Sequence, residues 1–346
     1  MGCPFSTFKG LDMVFNYCYV YIWTDASGKF RSKVKAVQST SVVAEEPPVW
    51  NYDGSSTGQA TTENSEINLV PVACYCDKSY TYVLCATYHT DGTPTASNTY
   101  HLVSSDATKL WITNSGLRIA FEQEFFIYDA ATNLPFRYAL WSGDKQGEYY
   151  CSVGVTGNGF IERHVAEVFE RAMNLGLRVT GYNTEVAPAQ GEIQIDAQAL
   201  RSPHDLMMLR YLLWDVLGKS GLYPVFEPKP LGPSWNGSGL HANISTLATM
   251  SKGGYDVIQK ILLALTVEHV HWMPKLGTGN TARLTGIHET SAYDKFTWGV
   301  GSRAASVRVP YGTAAGGAGY FEDRRPAANA DPYVIVWLYT QLLMGM

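Results

Sequence analysis

Two glutamates stand two residues apart within a strongly apolar stretch, residues 117–128. Successive side chains of an extended strand point to opposite faces, so Glu122 and Glu124 point the same way, about 7 Å apart. Two carboxylates in a partly desolvated setting repel one another unless cations lie between them or one is protonated. The pair therefore indicates metal binding, and the alternative is an exposed face of a sheet.

The same pattern recurs further along the chain. Glu185 ends the polar stretch 181–185, and Glu192 begins a segment whose polar residues and isoleucines take opposite faces. His241 follows a glycine-rich entry to another strand, where the alternative for a lone histidine is a hydrogen-bonded core residue. Carboxylate oxygens with a single imidazole suit Mg²⁺ or Mn²⁺ better than Zn²⁺, because no set of thiolates accompanies them.

The C-terminal third adds arginines that lie near acids. They are Arg283, Arg303, Arg308, Arg324 and Arg325. Such arginines commonly form structural ion pairs. A site that combines acids, divalent metals and guanidinium groups is also what transfer of a phosphoryl group to a carboxylate requires. The sequence has neither a P-loop nor a G-x-G-x-x-G motif that would bind nucleotide phosphates in another way.

These side chains must be positioned by helices and strands that alternate in the larger part of the chain. Helical periodicity predicts helices over residues 161–174, 204–217 and 255–273. Strand patterns occur at residues 117–128, 191–196, 240–245 and 304–309. The pattern predicts an α+β domain.

The N-terminal part has a different pattern, rich in alternating β-branched and aromatic residues. It predicts a hairpin over residues 17–43 with its turn at 25–28, and strands at 67–74 and 82–88. A turn-rich stretch follows at residues 90–99. We expect a domain boundary there, between an N-terminal domain of residues 1–100 and a catalytic domain of residues 101–346.

The length and composition bear on domain number, on association and on nucleic-acid binding. A chain of 346 residues is longer than one core usually serves. Charged residues make up 16% of it, against about a quarter in typical proteins. The low charge content indicates oligomerisation. The net charge of -5 provides no positive surface charge that would attract nucleic acid.

The sequence also bears on the compartment. No apolar run reaches the roughly 18 residues that a membrane span requires, so we expect no membrane partner. Six cysteines without a C-x-x-C pair, and the lack of a secretory signal pattern, predict a reducing, cytoplasmic setting. The first residues match the loose N-myristoylation pattern, with Gly2 as acceptor beside Cys3, and the alternative is a frayed terminus.

Long motifs occur along the chain in an order typical of one family, and by them the sequence resembles the glutamine synthetases of the eukaryotic type (type II). The resemblance covers nearly the whole length. The matching segments are residues 50–59, the Glu-Gln-Glu strand, and residues 149–154, 185–194, 235–243, 283–290, 298–310 and 319–326. It implies a small N-terminal β-grasp domain followed by a larger catalytic α+β domain of the glutamine synthetase/guanido kinase type.

The resemblance implies an activity and its cofactors. The reaction would be the ATP-dependent ligation of ammonia to the γ-carboxylate of L-glutamate through γ-glutamyl phosphate, with two or three Mg²⁺ or Mn²⁺ ions per site. The metal nearer glutamate would be held by Glu124, Glu185 and Glu192. The metal nearer ATP would be held by Glu122, His241 and Glu322.

It further implies which residues bind the substrates. Glutamate and the transferring phosphoryl group would be bound by Asn236, Gly237, His241, Arg283, Arg303 and Arg324. The nucleotide side would comprise Glu122, Asn243, Ser245, Arg303, Arg308 and Arg324. Ammonium would be bound and deprotonated by Asp53 together with Ser56, Tyr150 and Glu185. Glu289, on a loop that follows a glycine, would close the site and accept a proton.

The chain also departs from the family pattern at two positions. Gly191 stands where a tryptophan is common, and Ala282 stands where a second arginine is common. The smaller residue at 191 leaves open that glutamate is ligated to a larger amine, and a third alternative is a catalytically silent assembly. The resemblance implies a homo-oligomer of two stacked pentameric rings with active sites between subunits.

Overall fold

The computed structural model describes residues 15–39, 46–77, 80–141, 149–155 and 157–346. The chain divides into two compact units, Met1–Asn98 and Thr99–Met346. The acylation pattern at Gly2 and Cys3 lies outside the described residues.

In its described part, the first unit is built on a five-stranded sheet. Its strands are β1 Phe15–Thr24, β2 Phe30–Ser39, β3 Trp50–Asp53, β4 Glu66–Cys76 and β5 Tyr80–His89. They lie in the order β2-β1-β5-β4-β3, with β1 and β5 parallel and the other neighbours antiparallel. The predicted hairpin is confirmed as β1 and β2, and the two later strands as β4 and β5.

One carboxylate holds the turn of this hairpin. Asp25 accepts hydrogen bonds from the backbone N–H groups of Ser27 at 2.8 Å and Lys29 at 3.1 Å. It also accepts one from Nε of Arg31 at 2.8 Å. Gly28 has a φ of 74°, a conformation that glycine adopts without steric cost. The turn fixes the register of β1 and β2.

Among the described residues, the second unit carries a nine-stranded sheet. Its strands are β6 Arg118–Asp129, β7 Leu134–Pro135, β8 Val179–Thr184, β9 Gln190–Ile195, β10 Leu222–Val225, β11 Leu240–Ser245, β12 Trp298–Val300, β13 Val307–Val309 and β14 Phe321–Asp323. The main path runs β12-β13-β14-β11-β6-β9-β8, and β7 and β10 pair with β6. The Glu-Gln-Glu strand, β6, is thus flanked by β11 and β9.

Helices cover this second sheet. They are α1 Asp106–Ser115, α2 Glu162–Asn174, α3 Ser202–Gly218, α4 Leu247–Met250, α5 Gly254–Trp272, α6 Tyr311–Gly316 and α7 Pro332–Met344. Helix α2 packs against β8, β9 and α3, and α3 packs against β6. The three predicted helices are confirmed as α2, α3 and α5. The four predicted strands are confirmed as β6, β9, β11 and a shorter β13.

Two further expectations concern the described residues alone. Within those ranges, no helix is both long and apolar enough to cross a membrane. The described cysteines are free thiols. They are Cys18, Cys74, Cys76, Cys85 and Cys151.

A buried ion pair lies at the end of β14. Asp323 and Arg325 are 0% and 1% exposed, and two bonds of 2.9 and 2.8 Å run from the guanidinium to the carboxylate. The hydroxyl of Tyr339 on α7 donates to the same carboxylate at 2.8 Å. Burial raises the pKa of Asp323, but the charge and hydrogen bonds of Arg325 outweigh this and lower it. The pair therefore ties α7 to the sheet as an ionised group.

Removal of one partner would leave the other charge buried and uncompensated. We expect Asp323→Ala to lower the free energy of unfolding by about 3–5 kcal/mol. Asp196→Ala, which breaks the exposed Arg118–Asp196 pair, should cost less than about 1 kcal/mol. Urea unfolding followed by circular dichroism measures both changes. Equal losses in the two variants would contradict the structural role of the buried pair.

Candidate active site

The acids on β6 meet partners on both neighbouring strands. Glu122 lies opposite His241 of β11 and Gln194 of β9, and Glu124 lies opposite Glu192 of β9. The residues that alternate with them, including Phe121 and Phe125, are fully buried on the other face. Strand pairing alone thus gathers two glutamates, a third glutamate and a histidine on one face of the sheet.

One group of candidate metal ligands comprises Glu122, His241 and Glu322. Their ligand atoms all lie within 4.8 Å of one another. His241 Nδ1 is 3.4 Å from Glu122 Oε2 and 3.6 Å from Glu322 Oε1. This is the set that the resemblance implies for the metal nearer ATP.

A second group comprises Glu124, Glu192 and again His241, within the same 4.8 Å limit. His241 Nε2 is 4.0 Å from Glu124 Oε1. The resemblance implies Glu185 as the third ligand here, and in the structure His241 is the third residue within this distance limit. Glu185 borders the same cavity, and its charge interacts with that of Glu124.

Arginines balance part of this negative charge. Glu322 is 1% exposed and accepts hydrogen bonds from Arg308 and, at 2.6 Å, from Arg324. Arg283 is buried and donates to the backbone carbonyl groups of Arg324 at 3.0 Å and Arg325 at 3.3 Å. Its Nη2 also lies 3.3 Å from His241 Nε2. The guanidinium groups thus surround Glu322 and one side of the imidazole.

The electrostatic balance differs between the acids. Burial raises the pKa of Glu122, but hydrogen bonds from His241 and Asn243 help to lower it to about 2. Burial and the charge of Glu124 raise the pKa of Glu185 to about 8. Burial, followed by the charge of Glu122, raises the pKa of Glu192 well above its usual value. The site has more carboxylates than its own cations neutralise, and divalent ions would supply the missing charge.

The cavity in front of these acids is lined mainly by residues that the sequence analysis selected. Those residues are Glu122, Glu124, Glu185, Glu192, Asn236, Gly237, His241, Arg283, Glu289, Arg303 and Arg324. Sequence reasoning missed three lining residues, Gln190, His288 and Thr290. Gln190 carried a signal, because it stands two residues before Glu192 and shares its face.

Other selected residues lie outside the wall of this cavity. In the second unit these are Tyr150, Asn243, Ser245, Arg308 and Glu322. Asp53 and Ser56 belong to the first unit. The carboxylate of Asp53 accepts hydrogen bonds from the hydroxyl groups of Ser55 at 2.6 Å and Ser56 at 2.7 Å. These bonds lower its pKa and keep it ionised.

The loop that carries Glu289 has an unusual backbone. His288 and Glu289 have φ values of 54° and 59°, which are uncommon outside glycine. The carboxylate of Glu289 is 60% exposed and lies 3.9 Å from Arg303 Nη1. Thr290 fixes the base of the loop by donating to the carbonyl oxygens of Ile287 at 2.8 Å and Arg283 at 3.2 Å. The base is thus held while the acid remains accessible.

Comparisons with known proteins show the family to which the chain belongs. Residues 108–257 match the family model described as the glutamine synthetase catalytic domain. The chain is 39% identical over 333 residues to a glutamine synthetase of Emericella nidulans, which covers 94% of this chain and 92% of that protein. The chain belongs to the glutamine synthetase family. It is also 36% identical to the chloroplastic leaf isozyme of Hordeum vulgare, over 93% of this chain and 75% of the isozyme.

A solved structure shows the same fold. A cryo-EM structure of Plasmodium falciparum glutamine synthetase matches with a TM-score of 0.73, over 95% of this chain and 72% of that one. At 18% identity the likeness concerns the fold. The predicted glutamine synthetase fold is therefore confirmed.

Gly191, one of the two departures from the family pattern, does not face the carboxylates. A Cβ atom at this position would lie 3.1 Å from Val165 Cγ2 and 3.5 Å from Phe125 Cζ. Both neighbours belong to the core beneath the sheet, where α2 packs against β9. Gly191 thus faces the core and not the cavity, so its small size gives no support to a larger amine. Ala282 is exposed.

The raised pKa values predict how this family member responds to pH and metal. The folded pKa of Glu185, about 8, is above its unfolded value, so the protonated carboxyl stabilises the fold at low pH. Without metal, the melting temperature should fall as pH rises from about 4.5, the ordinary pKa of the group, to about 8, and should change little above that. Bound Mn²⁺ should remove most of this fall, because it favours the ionised carboxylates.

Thermal unfolding at several pH values, with a chelator and with Mn²⁺, measures this effect. Glu185→Gln serves as the control, since it removes a titrating group and should flatten the profile in chelator. A melting temperature that declines equally with and without Mn²⁺ would show that the carboxylates do not bind the metal.

Proposed function

We propose that the protein is a glutamate–ammonia ligase that forms glutamine, ADP and phosphate from L-glutamate, ammonia and ATP through γ-glutamyl phosphate. The observation that carries this proposal is that two groups of candidate metal ligands share His241 and lie beside Arg283, Arg303 and Arg324. The two groups fit Mg²⁺ or Mn²⁺, whose preferred ligands are carboxylate oxygens with limited help from imidazole.

The chemistry explains why cations must surround the substrates. A carboxylate is a poor acyl donor, so its γ-oxygen first attacks the terminal phosphate of ATP and forms an acyl phosphate. Divalent metals, when bound, neutralise the phosphate oxygens. Arg283 and Arg303 would clamp glutamate and the transferring phosphoryl group, and Asn236 and Gly237 would contact glutamate. Arg308 and Arg324 would bind the nucleotide phosphates, with Asn243 and Ser245 on the nucleotide side.

The second half of the reaction requires ammonia, while ammonium predominates at neutral pH. Asp53, ionised and fixed by its serine neighbours, is suited to attract that cation together with Ser56 and Tyr150. Glu185, which bound divalent metals would keep ionised, is suited to accept its proton. Glu289 would close the site, accept a proton and shield the acyl phosphate from water.

We propose a cytoplasmic homo-oligomer, a decamer of two pentameric rings whose active sites each combine two subunits. The low charge content supports association, and so does a stripe of exposed apolar residues on α5. In that stripe Leu263, Val267 and Val270 are 70%, 69% and 68% exposed. A stripe of this kind is characteristic of a covered surface.

The proposed reaction is tested by phosphate release from ATP with L-glutamate, in Mg²⁺ and in Mn²⁺, with and without ammonium. We expect glutamine to form in step with phosphate only when glutamate, ammonium and metal are all present. Phosphate release that increases when a larger amine is added, without a matching increase in glutamine, would indicate that this amine is the acceptor. Absence of any glutamate-dependent release would reject the proposal.

Glu124→Gln should lower the rate of glutamine formation more than about 100-fold, because it removes one ligand charge that no neighbour replaces. Metal affinity, measured by calorimetry, should weaken in parallel. Asp215→Asn is the matched control, since Asp215 on α3 forms a solvent-accessible ion pair with Lys219, the residue after the helix. A Glu124→Gln enzyme with normal turnover would exclude Glu124 as a ligand.

The shared active site predicts complementation between two inactive variants. Asp53→Ala and Glu124→Ala oligomers should each be inactive. Subunits that are unfolded and reassembled as an equal mixture should regain activity at roughly a quarter of the sites, because each interface draws its two subunits independently. Each variant reassembled alone is the control. No recovery from proven hybrid oligomers would place both residues in sites formed within one chain.

A further inference from the structure

One side chain in the cavity wall has an acceptor that the protein does not use. Gln190 begins β9 and is 1% exposed. Its Nε2 donates to the carbonyl oxygen of Gly237 at 3.0 Å and to Ser238 Oγ at 3.2 Å. Its Oε1 is buried and has no hydrogen-bond partner in the described part of the chain. A buried acceptor without a donor is costly and requires an explanation.

The orientation of this amide is fixed by its neighbour. The carbonyl oxygen of Gly237 can only accept a hydrogen bond, so the amide nitrogen of Gln190 must face it. Exchanging the amide oxygen and nitrogen would place two acceptors against each other. The free Oε1 is therefore a property of the fold rather than of the assignment of the amide.

The position of Gln190 along the sheet indicates which substrate it meets. It lies opposite Phe126 of β6, one step beyond the Glu124–Glu192 pair on the same face. Asn243 lies opposite Ala120, at the other end of this row. Gln190 is thus at the end of the cavity away from the proposed nucleotide residues, and it shares that end with Gly237.

The chemistry of the substrate then selects the donor. Both carboxylates of glutamate are acceptors, and so are the acidic side chains around them. The α-ammonium group is the only hydrogen-bond donor that L-glutamate carries when both its carboxyl groups are ionised. A fixed neutral acceptor at this end of the cavity would recognise that group without adding further negative charge to the cluster.

On the basis of the proposed function, we propose that Gln190 determines substrate specificity: its Oε1 accepts a hydrogen bond from the α-ammonium group of L-glutamate. The same amide orients the carbonyl oxygen of Gly237 through Nε2. The residue would thereby discriminate between an amino acid and a dicarboxylic acid of the same length that lacks the amino group. A site built to hydrogen-bond a polar group discriminates strongly against an analogue that lacks it.

The test compares L-glutamate with glutarate, which has the same two carboxylates and no amino group. In wild type, the KM for glutamate should be well below the inhibition constant of glutarate. Gln190→Met keeps the length of the side chain and removes the acceptor. It should raise the KM for glutamate about tenfold or more and change kcat less. The inhibition constant of glutarate should stay within about twofold of its wild-type value.

Two further variants separate the acceptor from the fold. Gln190→Glu keeps an oxygen acceptor and loses the bond to Gly237, so it should retain the preference for glutamate over glutarate even if kcat falls. Ser238→Ala removes the weaker Nε2 contact and leaves Oε1 intact, so it should also retain the preference. If Gln190→Met does not fold, loss of the preference in Gln190→Glu still overturns the proposal.

The outcomes remain distinct from those that test the overall reaction. Wild-type protein without glutamate-dependent phosphate release would reject the ligase function. Calorimetric titration of wild type and Gln190→Met with L-glutamate and with glutarate would still test Gln190. An unchanged glutamate-to-glutarate ratio in Gln190→Met would mean that Oε1 serves only a water molecule. An unchanged ratio with weaker Mn²⁺ binding would make it a metal ligand, and either result overturns the proposal.

Discussion

Repulsion among carboxylates on one face of a sheet is the constraint on which the second unit depends. Six glutamates gather within and around one cavity, and the arginines beside them neutralise only part of their negative charge. Arg308 and Arg324 compensate Glu322, while Glu185 and Glu192 favour their protonated forms. Divalent ions would replace those protons. The fold thus keeps an excess of negative charge that divalent metals are suited to neutralise.

Short strand β14 shows how the fold maintains this arrangement. Consecutive residues of β14 and the segment after it alternate between the two faces of the sheet. Glu322 and Arg324 face the site, while Asp323 and Arg325 form a buried pair beneath it. The carbonyl oxygens of Arg324 and Arg325 also hold the guanidinium group of Arg283. One core ion pair therefore stabilises the backbone on which several active-site side chains depend.

Sequence reasoning reached those features that local periodicity encodes. The alternation around Glu122 and Glu124 predicted both the strand and the shared face. Periodicity could not predict the face on which Glu322 lies, because a three-residue strand is too short to show a period and its face follows from pairing with β11. Helix α7 was missed because it is buried and apolar almost all round, so its sequence shows no helical alternation of polar and apolar residues. The role of His241 in both ligand groups depends on long-range register, which one sequence does not reveal.

The contacts of His241 with its neighbours determine which of its two ring nitrogens carries the proton. A neutral imidazole carries one lone pair in the ring plane, on one nitrogen only. A guanidinium group can only donate, so the contact with Arg283 assigns that lone pair to Nε2 and the proton to Nδ1, which faces Glu122 and Glu322. A metal ion bound through Nδ1 would require the proton to leave and the Arg283 contact to change. Because a neutral imidazole offers a single lone pair, His241 would serve as a metal ligand in only one of the two groups at a time.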